Sequence, residues 1–382
     1  MNAFFYIIVS LLFTNIVLAV IFFTAYFSMG RERHTLIWAF TFVVAACQWL
    51  VNIFQPSNFN AYWMIACTLS VGTILFGTWG HLVRTNSRFS KTSLLLSGLA
   101  IIAITYYFTV IDLHRGLSTS LYIYHTVFYL LLCGYVLLKH RDKPRAAEIG
   151  AAAAYILFAI SQGIAATYAL MQGAEWNAEY FDIYRMINFV SLPTGYIGMS
   201  LFIVFVLASD MSEKMRIQAI TDSLTTCLNR RGFFQIAQDK LLSLLKKEMH
   251  VCLVYWDIDK FKAINDNFGH SAGDMVLQRA TDVIKQNIKD SDLIGRLGGE
   301  EFVILLGRVD FDDARLVAER LRVALETTSF EYNGQLIDVT ASFGVVQLKG
   351  EGALIETAID RADKALYQAK QSGRNKVVQL AL

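Results

Sequence analysis

Val251-Cys252-Leu253-Val254-Tyr255-Trp256-Asp257 is a run of six apolar residues closed by an acid. A run this short and rich in β-branched and aromatic residues reads as a strand buried on both faces. The acid marks the strand's C-terminal end, where α/β sheets place their ligands. Working outward, the pattern predicts a helix from Arg231 to Glu248 before the strand. After it come a polar loop and a helix from Ala272 to Lys289, then two strands, 293–297 and 302–306, around Gly298-Gly299. A helix over 312–327, a hairpin ending at Val339 to Gly344, a helix over 353–371 and a last strand, Lys376 to Leu380, complete an α/β domain over 221–382.

Asp257, Glu300 and Glu301 come together in this reading, because the Gly298-Gly299 turn delivers two acids beside the end of the buried strand. Three carboxylates on adjacent strand ends repel one another unless a cation sits between them. Mg2+ suits such a set, since it takes one or two carboxylates and completes its shell with water and phosphate. Paired acids at a turn also suit plain solvation, and spacing alone does not separate the two readings.

The first half of the chain has a different character. Hydrophobic residues make up 55% of the 382 and charged residues only 17%, against about 25% charged in a soluble domain. Residues 1–209 carry 11 Lys+Arg and 7 Asp+Glu, whereas 210–382 carry 23 and 25. Seven stretches, 3–29, 35–54, 61–83, 93–113, 117–139, 147–171 and 183–209, reach the length of about 20 apolar residues that a bilayer requires. The first is too long for a signal-peptide core and lacks a basic leader, so it reads as a membrane helix. Trp38, Trp49, Trp63, Trp79 and Trp176 lie mostly towards span ends, as interfacial anchors do. The five cysteines show no paired spacing and read as reduced packing residues. A net charge of +2 gives no reason to expect a nucleic-acid partner.

Loop charge predicts the orientation. The first, third and fifth connections hold Arg31, Arg33, Arg84, Arg88, Lys91, Lys139, Arg141, Lys143 and Arg145, while the others hold only Arg115 and Arg185. The odd connections are therefore expected inside, the N-terminus outside, and everything after 209 in the cytoplasm. A retinal-type reading fails, because the seventh span contains no lysine. His81 and His125 are open to two readings, as haem or metal ligands or as hydrogen-bonded residues of a helix bundle. Residues 207–220 extend the last helix, with Leu207, Met211 and Met215 at i, i+4 spacing and Ile217 and Ile220 beside them. That stripe is either a weak dimer seam or a plain connector.

The ordered motifs of the second half resemble the GGDEF family of diguanylate cyclases. They begin with Asp222-Ser223-Leu224-Thr225 through Asn229-Arg230-Arg231, and continue with Asp257-Ile258-Asp259-Lys260-Phe261-Lys262 through Asn265-Asp266, Gly269-His270 and Gly273-Asp274. Arg296-Leu297-Gly298-Gly299-Glu300-Glu301-Phe302 is similar to the name motif in its GGEEF form, and Thr340 to Gly344 and Ala362 to Asn375 close the match. The resemblance implies a nucleotide-cyclase or palm-like central sheet. It implies Mg2+, or Mn2+ in its place, on Asp257, the Ile258 carbonyl and Glu300, with GTP as substrate and a homodimer as the working unit. Lys262, Lys370 and Arg374 would hold the triphosphate, Asn265 and Asp274 would read guanine, and Gly298 and Gly299 would let the nucleotide approach the backbone. Glu301 would sit at the metal or assist loss of the 3′-hydroxyl proton.

The expected architecture is thus a seven-helix membrane bundle (1–206), a helical linker (207–220) and a cytoplasmic GGDEF domain (221–382). The whole reads as a diguanylate cyclase in a bacterial inner membrane, in contact with lipid and controlled by an unidentified sensory ligand. The rival reading is an inactive domain that serves as a nucleotide receptor or scaffold. A transporter is disfavoured by the scarcity of charges within the spans. Asp266, Gly269 and Gly273 read as turn residues, Asp259 as a cap in preference to a second acid near the metal, and Asp222, Asn229 and Arg230 as a latch between linker and domain. Lys289-Asp290-Ser291-Asp292 stands where many relatives carry a product-binding Arg-x-x-Asp. Lysine lacks arginine's planar fork, so tight product feedback is not expected.

Overall fold

A computed structural model describes residues 3–175, 177–350 and 353–381. Trp176, expected as an interfacial anchor, and the outermost residues Met1 and Leu382 lie outside them. Two compact units divide the chain, Met1–Ser212 and Glu213–Leu382, and the division falls inside the stretch read as a linker.

In the second unit the quoted run forms a strand, Val251–Ile258, buried at every position. Successive side chains of a strand face opposite ways, and here they enter different cores. Cys252, Val254, Trp256 and Ile258 pack with helices Phe261–Phe268, His270–Asn287 and Phe311–Thr327. Leu253 and Tyr255 pack with helices Arg230–Leu245 and Ile355–Gln371. The sheet is therefore covered on both sides, which explains a run without polar alternation.

In chain order the strands are β1 (Leu228–Asn229), β2 (Val251–Ile258), β3 (Leu293–Gly298), β4 (Glu301–Gly307), β5 (Phe330–Tyr332), β6 (Gln335–Ile337), β7 (Ala341–Leu348) and β8 (Val377–Leu380). Six of them form a mixed sheet in the order β1-β3-β4-β2-β7-β8, with β1–β3 and β7–β8 parallel and the other pairs antiparallel. Trp256 at the centre stacks on Phe302 and Phe343, its direct partners on the flanking strands, at centroid distances of 4.4 and 5.9 Å.

Two expectations are corrected. The stretch after β2, read as a polar loop, contains the helix Phe261–Phe268, whose apolar residues Phe261 and Ile264 enter the core. The expected hairpin ending at Gly344 is two objects. β5 and β6 form a separate two-stranded sheet, while residues 341–344 open β7, which pairs with β2 over its full length.

The first unit contains helices α1 (Ala3–Ser28), α2 (Arg33–Phe54), α3 (Phe59–Arg84), α4 (Lys91–Tyr106, continued by a π-helical turn to Ile111), α5 (Arg115–Lys139), α6 (Ala146–Met171) and most of α7 (Ala178–Ile220), whose last residues belong to the second unit. Among the described residues these seven are long and apolar enough to cross a membrane. Small residues meet inside, with Ala151, Ala152 and Ala159 of α6 buried, while Phe13, Leu157 and Val190 point outward and are exposed. α7 begins earlier than expected and runs unbroken through 207–220. Of its apolar stripe, Leu207 is buried in the bundle and Met215 and Ile217 are exposed.

Not all of the basic residues at one end of the bundle are solvated. Arg84, with 3% of its side chain exposed, binds Glu148 of α6 and Asp210 of α7, both at 2.7 Å. Arg145 reaches Asp210 at 3.1 Å, and Glu148 also accepts from the Arg145 backbone N–H at 2.9 Å. Of the two histidines, His81 Nε2 lies 2.7 Å from the buried Tyr155 hydroxyl, and His125 Nε2 lies 3.5 Å from Ser97 Oγ.

Candidate functional site

The site is built at one end of the central strand. The β2–β4 register sets Asp257 directly opposite Glu301, and the β2–β7 register sets it opposite Ser342. Ile258 is the last residue of β2 and its side chain is buried in the opposite core. Gly298 ends β3, Gly299 and Glu300 make the turn, and Glu301 starts β4 directly opposite Asp257, with Glu300 close enough to act on its carboxylate.

That carboxylate is 4% exposed. Burial raises its pKa from the usual 3.8 to about 6. Lys370 of helix α12 (Ile355–Gln371) opposes the rise, with Nζ at 2.7 Å from Oδ1, while Glu300 and Glu301 reinforce it. One ammonium does not offset desolvation and two neighbouring acids. Glu301 also draws a hydrogen bond from the Tyr255 hydroxyl, whose own pKa is raised by burial and then by the acids beside it. The cluster has an excess of negative charge and one cation against it. Such a donor set fits Mg2+, which takes few carboxylates and fills its shell with phosphate and water. Among the described residues, no closed cage of three or more His, Cys, Asp or Glu exists to hold a structural ion.

Arg296 holds the turn in shape. Its Nε donates to the Gly299 carbonyl at 2.8 Å, and its Nη1 pairs with Asp222 at 3.0 Å. Gly299 has φ of +50°, in the left-handed region where a side chain is disfavoured. Asp222 in turn accepts from the backbone and hydroxyl of Thr225. After burial is set against them, these bonds and Arg296 hold its pKa below the usual carboxylate value. Asn229 caps helix α8 (Arg230–Leu245) through the Gly232 N–H, and its amide donates to the Ala219 and Thr221 carbonyls. The Arg230 guanidinium lies over the Phe234 ring. The segment read as a latch does fasten the end of α7 to the domain, and Arg296 extends that chain of bonds to the Gly-Gly turn.

Lys262 and Asn265 stand on helix α9 (Phe261–Phe268), and Asp274 on helix α10 (His270–Asn287). Gly269, with φ of +85°, breaks the chain between them. Gly273 is no turn residue, contrary to the sequence reading. It lies in the first turn of α10, and a Cβ there would come 1.9 Å from Asn265 Oδ1. This close approach places Asn265 next to Asp274. Lys262 and Asp274 are exposed.

Lys370 and Arg374 flank the end of α12. Arg374 is exposed and left-handed, with φ of +62°, between Gly373 and Asn375, both also at positive φ. Asp259 holds this strained loop, so it is not the cap that the sequence suggested. Its carboxylate accepts from Ser342 Oγ at 2.7 Å, Thr340 Oγ1 at 2.9 Å and the Asn375 backbone N–H at 2.9 Å. The Asn375 side chain is bound by Arg322 and Glu326. The i, i+2 spacing of Thr340 and Ser342 at the start of β7 was the available signal for this role. Asp292 is engaged locally, accepting from the Lys289 and Gly307 backbone N–H groups.

Residues 219–376 match the family described as diguanylate cyclase, GGDEF domain. Diguanylate cyclase A of Treponema denticola is 38% identical over 160 residues, which cover 41% of this chain and 43% of that protein. Diguanylate cyclase DgcP of Pseudomonas aeruginosa is 37% identical over 165 residues, 43% of this chain and 24% of that one. The response regulator PleD of Caulobacter vibrioides is 40% identical over 166 residues, 42% and 36% of the two chains. The chain spans less than half the length of each of these relatives. Residues 219–376 therefore belong to the GGDEF family of diguanylate cyclases.

Proposed function

We propose that this protein is a membrane-anchored diguanylate cyclase that condenses two GTP into cyclic di-GMP and two pyrophosphates. The observation that carries the reading is the acid cluster on Asp257, buried, crowded by Glu300 and Glu301, and set at the end of the central strand beside the Gly-Gly turn.

Asp257, the Ile258 carbonyl and Glu300 would hold Mg2+, or Mn2+ in its place. When bound, it neutralises charge on the triphosphate and its leaving group. Lys262, Lys370 and Arg374 hold phosphate oxygens, and Lys370 exchanges Asp257 for them as the nucleotide arrives. Asn265 and Asp274 read guanine, whose Watson–Crick edge offers Asp274 two N–H donors. Gly298 and Gly299 leave room for the nucleotide against the backbone. Two domains face each other, each presenting one GTP. Each 3′-oxygen bonds to the partner's α-phosphorus as pyrophosphate leaves, and Glu301 assists departure of the hydroxyl proton. A single domain therefore completes no product, and holding two reactants in line supplies much of the rate.

The seven apolar helices anchor the protein in the bacterial inner membrane, N-terminus outside and GGDEF domain in the cytoplasm, as the nine basic residues on the odd connections favour. The bundle acts as the sensor and controls how two domains meet. Lys289 leaves product feedback weak. Glu300→Gln, tested with GTP and Mg2+ by product chromatography, is expected to keep the fold and abolish cyclic di-GMP formation. Normal turnover by that variant would refute the site assignment and the reaction with it.

A further inference from the structure

The first unit encloses a cavity of about 280 Å3 between α1, α2, α3, α5, α6 and α7, close to the lower end of the roughly 300–1,000 Å3 of small-molecule sites. Its two ends differ. Trp38, Gly77, Thr78 and Tyr155 line one end. At the other, where α2 finishes and α3 begins, stand Gln48, Trp49, Asn52, Tyr62 and Trp63. Asn52 and Tyr62 satisfy each other at 2.7 Å. The indole N–H groups of Trp49 and Trp63 are buried and have no hydrogen-bond partner, and neither has Gln48 Oε1. Buried donors are normally satisfied, so two orphaned indoles lining one cavity call for an explanation.

The lining also restricts what belongs there. Among the described residues, Arg185 is the only charged side chain in the wall, and it is paired with Asp182 at 2.8 Å. Among the described residues the wall holds no carboxylate to receive a cation, and its one cation is shared with Asp182 in a half-exposed pair. Aromatic side chains supply much of the wall, and ring faces stack well on flat rings. An indole N–H can only donate, so what completes it must accept.

We propose that this cavity binds a small, flat, uncharged molecule carrying carbonyl acceptors, held by the Trp49 and Trp63 N–H groups at the end where α2 meets α3. Binding itself needs nothing from the second unit. Only its consequence, a change in cyclase output, rests on the sensor reading above.

The test uses the full-length protein in lipid nanodiscs, titrated calorimetrically against empty discs with two probes of one shape. Duroquinone has a flat ring with two carbonyls, and durene is the same methylated ring without them. Duroquinone is expected to saturate one site and to bind at least tenfold more tightly than durene, the scale of a lost buried hydrogen bond. Trp49→Phe and Trp63→Phe, which keep an aromatic ring and delete the donor, should each shrink that preference several-fold. Equal heats for the two probes, or unchanged duroquinone affinity in both variants, would overturn the proposal. A Ser70→Phe variant, which fills the cavity from α3, should abolish saturable binding. Retained binding there would place the probe elsewhere and also overturn it. Cyclase rate at saturating duroquinone is read separately. Saturable binding that leaves the rate unchanged upholds the site and counts against the sensor reading alone.

Discussion

The bundle and the cyclase domain treat buried charge in opposite ways. At Arg84 the bundle pairs its charges, with Glu148 and Asp210 both at 2.7 Å and Arg145 and Arg141 closing on the same two acids. At Asp257 the cyclase domain leaves negative charge in excess, with Lys370 set against burial and two further acids. A paired network is at rest, and removing one member leaves another stranded in a dry place. An unsatisfied cluster is held under tension by the fold around it, and relief comes from a proton or a cation. Burial of charge thus marks structure in one unit and, under the proposed function, chemistry in the other.

The comparison is broken most strongly at Arg84. Arg84→Met leaves Glu148 buried without its main partner and is expected to destabilise the bundle by about 3–5 kcal/mol. The Arg84→Met, Glu148→Met double variant should recover most of that loss. Thermal unfolding of full-length protein in nanodiscs measures both, and a double variant no better than the single one would mean that the charges do not act as a pair.

Asp257 should behave in the reverse sense. It binds its proton more tightly folded than unfolded, so its stabilising contribution is complete below about pH 4 and is lost as pH rises through about 6. Between those values, and without divalent cation, wild-type stability should fall relative to that of Asp257→Asn. The variant should be at least as stable as wild type at pH 7 and inactive. Added Mg2+ should raise the wild-type unfolding midpoint at pH 7 and leave that of the variant unmoved. Calorimetric scans across pH would expose the error if the wild type gains stability relative to the variant over this window.

The smallest effect is expected at Gly273. Gly273→Ala forces a methyl group against Asn265 Oδ1, with the Phe261 ring 3.1 Å away, and should displace chiefly the Asn265 side chain. KM for GTP should rise by roughly tenfold, the scale of a hydrogen bond lost in a buried site, with the unfolding midpoint nearly unchanged. A variant with wild-type KM would show that Asn265 takes no part in holding the nucleotide.

Local chemistry carried much of this protein in plain view. Apolar length alone marks seven helices of membrane-crossing size, because a bilayer demands some twenty apolar residues whatever their neighbours. The run from Val251 to Trp256 announces a strand covered on both faces, and its terminal acid marks where the proposed site would lie. Helix α9 was concealed because its exposed face carries Lys262, Asp266 and Asn267, so only Phe261 and Ile264 signal burial across eight residues. Other features are invisible in any window of sequence. Arg84 and Asp210 are 126 residues apart, and Asp259 finds its partners at 340, 342 and 375. Whether an acid is a cap, a clamp or a cation ligand depends on the groups that surround it and on whether water reaches it. The sequence determined which residues carry charge and which segments must be buried; packing alone decided which charges are neutralised and which are left waiting, because electrostatic energy depends on distances and dielectric that only the tertiary structure sets.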